Sequence, residues 1–403
     1  MLAPLALPGA VRADAGGSVL HYGSPLREQR ALDEGAAFVL RGDVAVVRLA
    51  GEDRLSWLNS FSSQLLLGLQ PGQSAETLIL SPQGRVEQQV FVAAGEDALW
   101  LTVAREKAAE LLEFLQRMRF ALRVDFADVS ADFGVLEFYL PRDVAVAGRV
   151  GESAAVQAVA AACDVAALWT DPWREVQPGG WQYAVGQHPA ESESVAARAI
   201  VPLDGDLQKV TAAIKEAGFS FAGLLASDAL EVARWRPGFA EFDDRALPHE
   251  FDLLRSGVHL NKGCYRGQET VAKVHNLGHP PRRLALLHLD GSGGELPGPG
   301  DLVFAGADAA QADAVRAVAA VESGGASAVA AKPVGRLTRV VMHHEWGAIA
   351  LALLKRTAPE SGAFRVELQA GGAIAASVQT IVPPDAGALH AIDSATRQGF
   401  LRR

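Results

Sequence analysis

The apolar residues of this chain fall in strand-length runs bounded by Gly and Pro, and the helical patterns between them never settle into the strand–helix alternation of a doubly wound sheet. In the first third, "DVAVVRL" (43–49) reads as a strand. "GEDRLSWLNSFSSQLLLGL" (51–69) carries apolar residues at helical spacing up to the Pro71-Gly72 break, and "ETLILSPQGRVEQQVFVA" (76–93) reads as two strands around a tight turn at Ser81 to Gly84. "ALWLTV" follows as a strand. "REKAAELLEFLQRMR" (105–119) is the clearest helix, with Leu111, Leu112, Leu115 and Met118 on one face, before a last strand "ALRVDF". A second unit contains an Ala-rich helix near 153–162, "VAALW", "WQYAVG", and helices near 206–217 and 222–235. From 283 onward strands alternate with Gly/Pro turns ("RLALLHL", "DLVFAG", "PVGRLTRVVM", "GAIALALLKR", "FRVEL"), the pattern of a small β-barrel or sandwich. The expected organisation is an N-terminal lead (1–30), a first α+β module (31–130), a second (131–282) and a C-terminal β-barrel (283–403) with an Ala/Gly-rich insertion near 306–332.

A chain of 403 residues with 49% hydrophobic and 21% charged content can bury several cores. The net charge of -10 argues against non-specific nucleic-acid binding, which rests on a Lys/Arg excess. No run reaches the roughly 18 to 20 apolar residues that span a bilayer. The start "MLAPLALPGAVRADAGG" lacks a positive n-region and is broken by Pro4 and Pro8, so it reads as a frayed lead rather than a signal peptide. The two cysteines, Cys163 and Cys264, do not make a disulfide framework. A reducing, cytoplasmic location is the expectation.

The stretch "NKGCYRGQET" (261–270) concentrates unusual chemistry. If 262–266 is extended, Lys262, Cys264 and Arg266 share one side, and if "GQETVAKVH" opens a helix, Cys264 lies just before its positive end. Either geometry is expected to bring the thiol below its free value near ~8.5. Gly263 and Gly267 permit positive φ or close backbone approach. A purely structural reading, with a small sulfur packed in a turn, stands beside these.

The string Lys262-Gly263-Cys264-Tyr265-Arg266-Gly267-Gln268-Glu269 resembles the K-G-C-Y-x-G-Q-E signature of YgfZ-type folate-binding proteins, relatives of the glycine-cleavage aminomethyltransferase. The likeness extends to "WRPGFAEFDDRALPHEFDLL", "TVAKVHNLGHPPRRLALLHLDG", the "LILSPQGRV" hairpin and "PVGRLTRVV...GAIALALLKR", most of 35–360. It implies two related α+β modules around a central folate cavity, a terminal β-barrel, and tetrahydrofolate or another reduced folate as ligand. It also implies work with iron–sulfur proteins or cluster-assembly factors, with a link to tRNA modification. The implied acting residues are Cys264 and Lys262. The implied folate contacts are Gly263, Tyr265, Arg266, Gly267, Gln268 and Glu269, with Trp235 and Arg236 upstream. Two acidic positions of the aminomethyltransferases are missing: Gln88 and Gln89 stand where a hairpin aspartate is expected, and in "LEVARWRPG" Val232 or Ala233 stands where a glutamate belongs, with Glu231 displaced. Conventional aminomethyl transfer is therefore not expected.

His249, His259, His275, His279 and His288 cluster around Cys264, but their spacing is not a zinc pattern, and no metal is assigned. Arg234, Arg236, Arg282 and Arg283 are candidates for a folate's glutamate tail or for a solvated surface, and Trp235 for pterin stacking or for the core. A stable cluster normally takes about four ligands, so two cysteines suit only transient handling shared with a partner. Three readings remain: a folate-binding accessory factor for iron–sulfur proteins, a folate-dependent one-carbon transferase or demethylase, and a thiol enzyme pairing Cys264 with His259.

Overall fold

The computed structural model describes residues 7–13, 18–192, 194–203, 207–306 and 332–389. In the described part of the lead, β1 (Val11–Arg12) and β2 (Val19–His21) pair antiparallel, and α1 (Pro25–Asp33) follows. Proline opens α1, and the carboxylate of Glu28 in its first turn accepts the N–H groups of Tyr22 and Ser24 at 2.8 and 3.0 Å.

The next strands are β3 (Ala37–Leu40) and β4 (Val44–Ala50), then α2 (Arg54–Phe61), β5 (Ser74–Leu80), β6 (Val86–Ala94), β7 (Ala98–Ala104), α3 (Ala108–Met118) and β8 (Asp125–Asp128). One antiparallel sheet has the order β5-β6-β7-β4-β8. Its inner residues Val47, Leu49, Val90, Val92, Leu101 and Val103 pack against Trp57, Leu58 and Phe61 of α2 and Leu111, Phe114 and Leu115 of α3. The helical spacing across 51–69 is realised only to Phe61. Ser62 is extended and bridges to Ile79, and the Oγ of Ser63 donates to Gly257 O across the domain boundary, so the chain leaves the helix there.

The second half of the core comprises β9 (Phe133–Pro141), α4 (Arg142–Val146), α5 (Ala154–Ala160), β10 (Ala167–Thr170), β11 (Ser194–Pro202), α6 (Leu207–Glu216), β12 (Ser220–Ala222) and α7 (Leu224–Ala233). Its sheet has the order β10-β11-β9-β3-β12, antiparallel except for the β3–β12 pair. The expected 31–130 stretch is thus not one unit in space, because β3 belongs to this second sheet and α1 packs beside α7 in the core around Leu32, Val39 and Leu230. The two sheets meet through Val44, Val46, Trp100, Val135, Trp169 and Ile200, and Trp169 Nε1 donates to Ala75 O at 3.1 Å.

After α8 (Gln268–Leu277), the strands β13 (Arg282–Leu289), β14 (Leu302–Ala305), β15 (Gly335–His343), β16 (Gly347–Lys355), β17 (Ala363–Glu367) and β18 (Ala373–Thr380) close a barrel in the order β13-β16-β15-β14-β17-β18. "RLALLHL" is nearly unbroken in hydrophobicity because both its faces are buried. Ala285, Leu287 and Leu289 fill the barrel, while Leu284 and Leu286 face a core shared with Phe251, Leu254, Val271 and Trp235. Residues 307–331 of the expected insertion lie outside the described residues.

Candidate functional site

The motif loop is held from three directions. Gly267 has φ +83° and immediately precedes α8, and a Cβ there would lie 2.5 Å from Ser81 O and 2.9 Å from Gly84 Cα, so the β5–β6 turn sits directly on the helix start. Gln268 Nε2 donates to Lys262 O at 3.3 Å and closes the loop on itself. Glu269 is exposed in the first turn of α8, where the helix dipole favours its charge. Tyr265 is buried in the shared core, and burial pushes its phenol pKa up.

Neither cation of the loop is left for the sulfur. Lys262 is buried, and its Nζ donates to Asn59 O (2.8 Å), Ser62 O (2.6 Å) and Gln64 O (2.9 Å), the carbonyls at and beyond the end of α2. Burial pulls its pKa down to about 8. Arg266 makes a bidentate pair with Glu87 (2.6 and 3.3 Å) and lies over Phe114. Cys264 itself is exposed, as is Gly263, whose missing Cβ would meet nothing within 4 Å. Cys163 is half-buried beside α5, and neither cysteine is in a disulfide.

The histidines around the motif are structural. His249 Nε2 donates to Val271 O at 3.0 Å, His275 Nδ1 bonds Tyr183 Oη at 2.8 Å, and His279 Nδ1 donates to Ala386 O at 2.9 Å. His259 accepts the Asn261 N–H at Nδ1, and its ring lies over Gly179, where a Cβ would meet it at 2.4 Å. Among the described residues no group of three or more His, Cys, Asp or Glu side chains is placed to hold a metal.

Upstream, Trp235 and Arg236 are committed to the interior. Trp235 is 4% exposed, has φ +57° and meets His188 edge-on at 5.2 Å between ring centroids. That left-handed backbone costs a bulky residue of order 1–2 kcal/mol, and the surrounding core holds it. Arg236 Nη1 bonds both oxygens of Glu76 at 3.0 Å and its Nη2 bonds Asp171 at 3.1 Å, with the guanidinium over Trp173 and Phe91. Arg282 pairs with Asp243 and Glu250, and Arg283 donates to Ala358 O and Pro359 O. Of the four arginines considered for a ligand tail, Arg234 is the one that lines a large cavity.

The interior holds carboxylates that the sequence reading passed over. Gln89 Nε2 donates to Glu76 at 2.7 Å, so an acid does stand beside the hairpin glutamines, supplied by β5 and neutralised by Arg236. Glu137 on β9 accepts from Arg41 (2.5 Å), Arg198 (2.8 Å) and Ser227. Glu231 meets Arg41, Arg198 and, at 2.7 Å, Arg339 of the barrel. Burial alone raises the Glu231 pKa, but Arg41, Arg339 and Arg198 outweigh it and bring the value to about 2. These ion pairs leave an inner void of about 20 Å³.

Through Tyr139, Ser194 and Arg234 that void adjoins a cavity of about 780 Å³ between the second sheet and the barrel. Its walls carry Asp33 and Glu34 at the end of α1, Tyr139, His188, and His343, Glu345 and Trp346 from the β15–β16 turn. Arg234 lies over the Tyr139 ring at 4.5 Å and pairs with Asp33 Oδ1 at 2.6 Å. Trp346 is 45% exposed and packs against the tilted ring of His343 at 4.8 Å between centroids.

No family model matches the chain. Over 267 residues it is 24% identical to a chloroplastic Arabidopsis thaliana protein whose name provisionally calls it a transferase; the match takes in 64% of this chain and 57% of that relative, so the chain spans little more than half of the relative's length. Among solved structures, the glycine cleavage system aminomethyltransferase T from Bartonella henselae superposes with a TM-score of 0.64 over 92% of this chain and 93% of its own, at 15% identity. The fold of this chain is therefore the aminomethyltransferase-like one, ending in a closed six-stranded β-barrel.

Proposed function

We propose that the chain is a folate-binding accessory factor for the assembly or repair of iron–sulfur proteins and acts through Cys264. One observation carries the reading: in the motif loop Lys262, Tyr265, Arg266 and Gln268 are each spent on internal contacts, while the thiol between them is exposed. A loop so strongly braced around one exposed reactive group is built to present that group. The cluster or its sulfur is cargo, since two cysteines in different parts of the fold cannot hold a cluster without ligands from a partner.

The folate half of the reading is supported by the fold and by the 780 Å³ cavity, within the volume range of small-molecule sites. Trp346 offers an exposed aromatic face, and the Arg234–Asp33 pair lines the wall. A bound reduced folate would bring ring nitrogens able to carry a one-carbon unit. A one-carbon transferase is the second reading, favoured by the name of the Arabidopsis relative. Against it, the interior acids Glu76, Glu137 and Glu231 are all paired with arginines, which leaves none of them a lone acid facing a ligand. Arg236, closed off by Glu76 and Asp171, has no part in this contact.

The test is a profile of iron–sulfur enzyme activities in cells lacking the protein, complemented with wild type or Cys264→Ser. Wild type should restore the activities and Cys264→Ser should not. Equal rescue by both would remove the thiol from the account. Separately, incubation with tetrahydrofolate and an aminomethyl-loaded carrier protein should give no methylene-tetrahydrofolate above background, and turnover there would promote the transferase reading.

A further inference from the structure

We infer that the cavity between the second sheet and the barrel is the ring-binding site, and that Asp33 is the carboxylate that recognises the ring's donor edge. This rests on the reading of a folate ligand and departs from the expectation of a site enclosed between the two α+β modules. The inner void, about 20 Å³, has room for a water rather than a ring, and its walls are locked by ion pairs. The adjoining 780 Å³ cavity is large enough.

The chemistry of its walls is specific. Carboxylates outnumber cations on its walls, with part-buried Asp33 and exposed Glu34 and Glu345 against Arg234, which Asp33 already pairs, so the cavity does not suit an anionic tail. It suits a flat ring with N–H donors along one edge, which is the amino-pyrimidinone edge of a pterin. Asp33 is prepared for that role. Its Oδ1 is held by Arg234 Nη2 at 2.6 Å and Ser194 Oγ at 3.0 Å, which fixes the carboxylate while Oδ2 remains able to accept from a ligand. An open flat face comes from Trp346, on a barrel turn braced by His343 Nδ1 accepting the Glu345 and Trp346 N–H groups at 3.2 and 3.3 Å, while Tyr139 is buried beneath Arg234 and closes the inner wall. On the inner wall His188 is 1% exposed, and its Nδ1 accepts the Ala190 N–H, which places the proton on Nε2. That Nε2 has no hydrogen-bond partner, with Asp252 Oδ2 the nearest acid at 4.0 Å. The missing pterin glutamate of the α7 segment is, on this view, replaced by an acid from the end of α1.

Two fluorescent probes that differ only at the ring amino group test the assignment on the full chain. Dimethylpterin presents a donor to a carboxylate, whereas dimethyllumazine presents a carbonyl in its place. Wild type should bind the pterin about tenfold or more tighter than the lumazine. In Asp33→Asn that ratio should collapse to within about twofold, because an amide can meet either edge. Trp346→Ala, at a site exposed enough to tolerate truncation, should weaken both probes by a similar factor of about fivefold. Melting curves check that each variant is folded. A pterin preference that survives Asp33→Asn, or affinities that ignore both variants, would overturn the assignment. Tetrahydrofolate separates the two layers of inference. If it binds wild type and Asp33→Asn equally, the folate reading stands and the cavity assignment falls. If no pterin or folate binds at millimolar concentration, both fall.

Discussion

The ionic interior and the motif loop are both rich in charged residues, yet they treat charge in opposite ways. In the interior, Arg41, Arg198, Arg236 and Arg339 are matched by Glu76, Glu137, Asp171 and Glu231, and no member is spare. In the loop, Lys262 is met by three backbone carbonyls rather than an acid and Arg266 by Glu87, and both are directed away from Cys264. Buried charge here joins the two sheets and the barrel, whereas charge in the loop braces one exposed position. A perturbed group is thus not by itself a functional group. What distinguishes the loop is an exposed thiol whose neighbours are all spent on other partners.

That contrast can be broken most decisively inside. Arg236→Met leaves Glu76 and Asp171 buried without their cation, and the loss should be about 3–5 kcal/mol by chemical denaturation. A loss below about 1 kcal/mol would mean the interior pairs are not what holds the modules together. Lys262→Met comes next. It strands three carbonyls and should cost about 1–3 kcal/mol, with faster amide exchange confined at first to the 59–64 and 259–266 segments. Unchanged exchange there would argue that the lysine is not a brace.

Acid sharpens the comparison. The Glu231 pKa is about 2 in the folded chain against 4.5 unfolded, so its contribution is complete above 4.5 and lost as pH falls toward 2. Asp243 acts in the same direction: burial raises its pKa, but Arg282 and Arg336 overcome this and lower it from 3.8 to about 2. Asp252 works oppositely. Burial raises it to about 7, so its contribution is present below 3.8 and fades as pH rises to 7. Melting temperature should therefore drop steeply between pH 4.5 and 2, and Glu231→Gln, already destabilised at neutral pH, should show a shallower drop. An identical acid profile in the variant would dissociate the network from acid sensitivity. The smallest effect on stability belongs to Cys264→Ser, within about 0.5 kcal/mol of wild type. In the folded chain iodoacetamide should label Cys264 before Cys163, and equal labelling only after denaturation would remove the contrast at its other end.

The barrel and the longer helices were legible because their periodicity is local. The expected helix over 105–119 appears as α3 at Ala108–Met118, and each of the five expected C-terminal strands is present. The strand that closes the barrel, "AIAASVQT", was missed because its small residues carry little hydrophobic contrast. The motif loop could be located from its residues, and the helix after Gly267 was one of two geometries considered. The destination of the two cations could not be read, since the partners of Lys262 lie about two hundred residues earlier. The same holds for Arg41, Glu137, Glu231 and Arg339, which are scattered along the chain and meet only through topology. Asp33 and Trp346 escaped notice for that reason: nothing in "ALDEG" or "HHEWG" announces a shared cavity.

The three carbonyls that receive Lys262 lie 203, 200 and 198 residues before it. During synthesis the first sheet and α2 emerge long before that lysine leaves the ribosome, so the end of α2 must wait with its acceptors open. The thiol can be set in its final position only when the late segment has threaded back onto this early one. Presentation of Cys264 is thereby a report that the two halves have docked. A nascent or half-assembled chain, still without that latch, would not yet hold the 262–266 loop in its final position.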